Sequence, residues 1–220
     1  HCAGGVVTVY HYRPTPPDLP AALEAAAKLR VEHRAATGRV VWFLLGSSAA
    51  EAVDAASGMR TTRVLLKVFN HPDIIESGPA LVPVVDLATC APRVQASFTP
   101  FAAAMTAEGF GFLHTRWQAG TLDGPILVAV ADQRVVGAIG PLRLLADPTG
   151  VRRLLPQYLA VLPTHRRRGY GRMLWRAVVG WGQANGAAYQ LLQTAVGGAS
   201  DRMFLGEGLT PLGLVCQATT

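Results

Sequence analysis

The sequence predicts an α/β (α+β) fold, a sheet domain flanked by helices and preceded by an N-terminal α/β lobe. Three observations carry this expectation. Half of the 220 residues are hydrophobic, ample for a packed core in one large domain or two small ones. Strand-like and helix-like segments alternate from Val6 to Gln217. The stretch Leu154–Ala184 passes from an apolar run through a short basic glycine turn into a helical pattern.

Val6–Tyr12 reads as a strand, closed by the turn-rich Pro14-Thr15-Pro16-Pro17-Asp18. Leu19–Ala36 is alanine-rich with helical spacing, and Gly38 ends it. Val40–Leu45 is a buried-type strand, Ser47 and Ser48 cap a helix through Ser57, and Gly58 stops that helix. Thr61–Phe69 alternates as a strand. Residues 1–70 thus form the N-terminal lobe, and 71–94, with Pro72, Pro79, Pro83 and Pro92, a connecting segment. From 95 to 220 the expected order is a helix at Ser97–Glu108, then a hairpin of Ile126–Val130 and Val135–Ile139 around Asp132-Gln133. After the loop Leu145–Val151 comes the strand Leu154–Leu162, then a helix with Met173, Leu174, Ala177, Val178 and Trp181 on its core stripe, ended by Asn185-Gly186. A strand at Tyr189–Val196, a short helix at Ala199–Gly206 and a strand at Leu212–Gln217 complete the chain.

The turn after Pro163 reads His165-Arg166-Arg167-Arg168-Gly169-Tyr170-Gly171-Arg172. The first N–H groups of a helix lack intrahelical partners and lie at the positive end of its dipole, so they attract anions. Gly169 and Gly171 carry no side chain to hold a pyrophosphate off that backbone. Arginines add charge and forked donors. Between Val151 and Arg176 there are seven arginines and no acid. Such a patch could track a nucleic-acid backbone, but glycines interrupt it at a helix start and no stripe of stacking aromatics accompanies it. Nucleic acid is therefore not the expected partner.

Leu159-Ala160-Val161-Leu162-Pro163 followed by Arg166-x-x-Gly169-x-Gly171 resembles motif A of the GNAT acyltransferase superfamily. The resemblance implies a mixed, mostly antiparallel sheet whose central strands splay, with the thioester of acetyl-CoA entering the wedge. The backbone of Leu159, Ala160 and Val161 would pair with the pantetheine arm and polarise the thioester carbonyl. Arg166, Arg167, Arg168, Gly169, Tyr170 and Gly171 would hold the pyrophosphate, and Arg172 would reach the ribose phosphate or solvent. Ala49–Met59 followed by Arg63-Val64-Leu65-Leu66 looks like a worn copy of the back half of this fold, so the first lobe is expected to be a degenerate GNAT-like half in a tandem arrangement. Members usually carry one more final strand, which the first lobe or a second subunit would supply, and a homodimer is an expected form.

The implied activity moves an acetyl group from acetyl-CoA to the amine of a small molecule, peptide or protein. An amine nucleophile needs a base and the leaving thiolate an acid. Here the chain departs from the family pattern. The motif strand lacks the acidic residue often found there, and Phe204 stands four residues before Gly208, where a tyrosine acid is usual. Gly197-Gly198 replace the usual asparagine. The remaining catalytic candidates are Tyr158 and His114, followed by Glu108, Ser200 and Cys216. These departures keep two alternatives open: a non-catalytic acyl-CoA-binding module, and an acyl-CoA decarboxylase or acyl loader on the same fold. The +6 charge would repel a polycationic acceptor.

Cys2, Cys90 and Cys216 are odd in number and far apart, which suggests neither a disulfide framework nor a zinc site. Burial as small apolar residues is the expectation for Cys90 and Cys216, and a reducing cytosol the expected compartment. No metal is expected. No apolar run reaches the roughly 18 residues needed to span a bilayer. The chain opens on His1 rather than Met, as a processed or engineered fragment would, and His1–Gly5 shows no signal-peptide pattern.

Overall fold

The computed structural model describes residues 2–3, 5–13, 15–45, 59–69 and 83–220. The chain divides into two compact units, one of His1–Lys67 with Leu192–Thr220 and one of Val68–Leu191. The expected helix from Ser47 to Ser57 lies outside the described residues.

The first unit contains β1 (Cys2–Ala3), β2 (Val6–His11), α1 (Leu19–Glu32), β3 (Thr37–Leu45), β4 (Arg60–Val68), α5 (Ala199–Gly206) and β12 (Thr210–Thr219). Its strands run in the order β1-β2-β3-β12-β4. β2 and β3 pair in parallel from Val6↔Thr37 to His11↔Trp42, while β12 is antiparallel to both β3 and β4. Both strands that flank β12 thus come from the first seventy residues. Asp18 accepts from the Ala21 N–H at 3.3 Å and starts α1. The helix stops at Glu32, four residues short of expectation, and buries Ala26 against Val40, Trp42, Leu214 and Cys216. Gly38 permits this approach, since a Cβ there would lie 2.9 Å from the Ala26 carbonyl oxygen.

The second unit contains β5 (Val84–Asp86), α2 (Pro92–Ala104), α3 (Phe110–Gln118), β6 (Leu127–Ala131), β7 (Arg134–Gly140), β8 (Leu144–Ala146), β9 (Arg152–Leu154), β10 (Tyr158–Val161), α4 (Tyr170–Ala184) and the first residues of β11 (Tyr189–Ala195). The segment 71–94 is thus not only connection: it holds β5, a 3-10 turn at Leu87–Thr89 and the start of α2, whose Pro92 is pre-set for a first helical turn. One sheet is antiparallel with the order β10-β7-β6-β5, and β11-β9-β8 belong to another. Asp132 and Gln133 both adopt positive φ, the backbone of a tight two-residue hairpin turn.

Side chains alternate across β7. Ala138 and its cross-strand partner Ala160 join a core with Phe98 and Phe101 of α2 and Phe110 and Leu113 of α3. Phe98, Phe101 and Phe110 are buried and pack ring against ring at 5.2–6.4 Å, whereas Phe112 is exposed beneath Arg116. Gly137 faces the other way, where a Cβ would lie 3.0 Å from Leu174 Cδ1 of α4. The buried face of α4 is Leu174, Trp175, Val178, Val179 and Gly182, rotated from the expected stripe so that Met173 and Trp181 lie at its margins.

Candidate functional site

The expected single strand Leu154–Leu162 is two strands in two sheets. β9 pairs in parallel with β11 (Tyr189↔Arg153, Gln190↔Leu154), and β10 pairs antiparallel with β7 (Tyr158↔Gly140 to Val161↔Gly137). The chain changes sheets at Leu155-Pro156-Gln157, where Pro156 offers no N–H to a ladder. Beyond that point β10 is the edge strand of its sheet and β11 lies in the other one. This separation is the wedge expected from the resemblance.

The ladder fixes which backbone groups face the opening. The Leu162 N–H donates to the Val136 carbonyl at 2.9 Å. In an antiparallel pair alternate residues turn to the partner strand, so Tyr158 and Ala160 turn to β7 while Leu159 and Val161 present their N–H and C=O to the free edge. Val161 C=O accepts from Arg166 Nε at 3.1 Å.

After β10 a 3-10 turn, Pro163–His165, leads to Arg166 in extended conformation. The backbone then becomes left-handed at Arg167 (φ 62°) and at Gly169 (φ 86°), which precedes the first turn of α4. Positive φ is costly at Arg167 and free at Gly169. No side chain caps α4, and no acid lies in its first turn, so its leading N–H groups keep their attraction for an anion. The His165 ring packs edge-on to Tyr170 at 6.0 Å, and Tyr170 is buried beneath the turn.

Two contacts absent from the sequence reading join this turn to the helices before it. Arg166 Nη2 lies 3.4 Å from Glu108 Oε1, a half-exposed ion pair across 58 residues. Next to it Gly109, left-handed at φ 88°, lies under the Tyr158 ring, which a Cβ there would meet at 2.3 Å. Glu108, Gly109, Tyr158 and Arg166 thus converge beside the free edge. Tyr158 keeps 43% of its surface exposed. His114 is tied elsewhere, 2.9 Å from Thr99 Oγ1 and beside Phe98 and Trp117.

Ser200, Phe204 and Cys216 belong to the first unit. Phe204 and Cys216 are buried, burial pushes the Cys216 thiol up, and Cys90 is only partly buried. Asp201, one residue after Ser200, is buried and accepts from Arg63 Nε, Thr194 Oγ1 and the Gly197 N–H, each at 2.9 Å. Burial pushes its carboxyl up, but the Gly197 N–H, the Thr194 hydroxyl and Arg63 together hold it below the usual carboxylate range. Among the described residues no group of three or more His, Cys, Asp or Glu is placed to hold a metal ion.

The Acetyltransferase (GNAT) family profile matches residues 92–204, more than half of the chain. No curated protein matches the chain in sequence. Among solved structures, the chain is similar to a GCN5-related N-acetyltransferase from Sphaerobacter thermophilus, with a TM-score of 0.56 and 15% identity, over 97% of this chain and 73% of that one. An acetyltransferase of the GNAT family from Colwellia psychrerythraea gives 0.54 and 10% over 92% and 73%. A tandem GNAT protein from the clavulanic acid biosynthesis pathway, solved without acetyl-CoA, gives 0.53 and 13% over 88% and 66%. At these identities the likeness is one of fold.

Proposed function

The chain belongs to the acetyltransferase (GNAT) family, and on that premise we propose that it moves an acetyl group from acetyl-CoA to an amine of a small molecule or protein. The observation that carries this reading is the free edge of β10 running directly into the arginine-glycine turn at the head of α4. The outward groups of Leu159 and Val161 suit the amides of a pantetheine arm as an added strand. Arg166, Arg167, Arg168 and the N–H groups from Gly169 to Arg172 suit a pyrophosphate. A thioester carbonyl held at the edge gathers negative charge as an amine attacks, and an outward N–H of β10 stabilises it. Tyr158 supplies the proton for the departing thiolate, and bulk water takes the proton of the amine.

Calorimetry with acetyl-CoA tests the cradle. Micromolar binding that is lost in the Arg166→Ala, Gly169→Asp double variant supports it, and no binding by the parent chain sinks it. A screen of amines then reads thiol release. The buried Phe204, where the family usually places a hydroxyl, favours a second reading as a non-catalytic acyl-CoA-binding module. Binding without turnover on any amine identifies that case, and malonyl-CoA turnover without an amine would identify a decarboxylase. Among the described residues no helix is long and apolar enough to cross a membrane. The cysteine usage fits a cytoplasmic protein.

The first lobe fits a degenerate copy of the same unit. Its β2-α1-β3 repeats the strand-helix-parallel strand order, but the two strands stay paired over six residues, leaving no wedge. Its turn carries Asp18 at the helix start, which repels an anion.

A further inference from the structure

The change of sheet between β9 and β10 is held by side chains. The Leu155 N–H donates to the Arg143 carbonyl at 2.9 Å, but the Leu155 carbonyl accepts from Gln190 Nε2 at 3.1 Å and also from Gln157 Nε2. Gln190 Nε2 donates in addition to Gln157 Oε1 at 2.8 Å. Gln190 belongs to β11, so one amide ties β11 to both ends of the three-residue switch. It is fully buried, and its Oε1 has no donor among the described residues. An unmet buried acceptor is destabilising, a cost that a leucine of similar size would avoid. The cost is balanced by what the amide holds. Without it the Leu155 carbonyl would keep only the Gln157 contact inside the switch, and the switch would lose this side-chain tie to β11.

We propose that Gln190 is the positioning residue of the wedge: it fixes the switch at Leu155–Gln157, and through it the aim of the outward Leu159 N–H at the thioester carbonyl. The inference rests on the acyl-transfer reading above. Leu159 follows Gln157 by two residues, so a small rotation at the switch swings its N–H off the carbonyl while leaving the arginine-glycine turn in place. Gln190 touches no substrate, and its effect falls on carbonyl polarisation rather than on phosphate anchoring.

The test is isotope-edited infrared spectroscopy of [1-13C]acetyl-CoA bound to the full chain, beside calorimetry with unacylated CoA. Wild type is expected to lower the carbonyl stretch. Gln190→Leu is expected to bind CoA with wild-type affinity and to lose most of that lowering. Gln157→Leu, at a less buried end of the same link, should repeat the loss and guards against misfolding of the first variant. An undiminished lowering in Gln190→Leu overturns the proposal. So does joint collapse of its melting temperature and CoA affinity while Gln157→Leu behaves as wild type, which is plain packing. If wild type binds no acetyl-CoA, or binds it without lowering the stretch, the acyl-transfer reading itself fails, and wild type alone reveals that.

Discussion

Arg166 divides its guanidinium between the Val161 carbonyl and Glu108, so a phosphate must compete for it. The Glu108 contact is long and half exposed, which limits it to about 0.2–1 kcal/mol. Glu108→Gln is accordingly expected to tighten CoA binding, by about two- to fivefold, read by calorimetry at low salt where screening is least. Tyr158 stands in the opposite relation to the ligand. Its ring is seated on Gly109, and Tyr158→Phe keeps that seat while removing the hydroxyl. If Tyr158 is the acid, this change lowers kcat by about 100-fold and leaves CoA affinity as it is, as measured by thiol release with an amine found by screening. The Arg166-x-x-Gly169-x-Gly171 turn was legible because its chemistry is contained in six consecutive residues. The Glu108–Arg166 contact and the Gln190 link were not, because each acts across dozens of residues and neither belongs to a local pattern.

Elements were legible where burial has a single period and less so where the chain is shared between layers. The hairpin of β6 and β7 matched its expected place within a residue because Asp132 and Gln133 suit a turn with both φ positive. The run from Leu154 to Leu162 read as one strand because its apolar residues continue through the switch, and the proline inside it was the overlooked signal. In α4 the stripe was misjudged by a rotation, since a helix with apolar residues at 173–175 and 177–179 has two plausible faces. Leu174 is the residue that settles it: Leu174→Ala, opposite Gly137, should cost about 2–5 kcal/mol in urea unfolding, and Met173→Ala much less. At the start of α5, Asp201→Asn should cost about 2–3 kcal/mol at neutral pH, near the low end for a buried pair because Arg63 keeps 25% of its surface exposed. Since the folded carboxyl titrates below its unfolded value, this stability is complete above about pH 4 and drains away as the pH falls through the folded pKa. The gap between wild type and variant in urea midpoints should therefore close on acidification.

At the scale of the molecule, β12 joins sequence ends that the linear reading kept apart. Register placed Cys216 opposite both Trp42 and Thr61, a pairing that no local pattern encodes. A fragment ending at Lys67 should consequently be insoluble or unfolded by circular dichroism, and adding Thr210–Thr219 as a peptide should recover structure. The same interleaving bears on how the protein is made. Chains fold vectorially as they leave the ribosome, and early segments usually close first. Here β3 and β4 emerge long before the strand that fills the gap between them, and until it arrives each has an open edge able to pair with the wrong chain. Translation speed and holdase chaperones should thus govern its soluble yield more than the stability of the finished fold does.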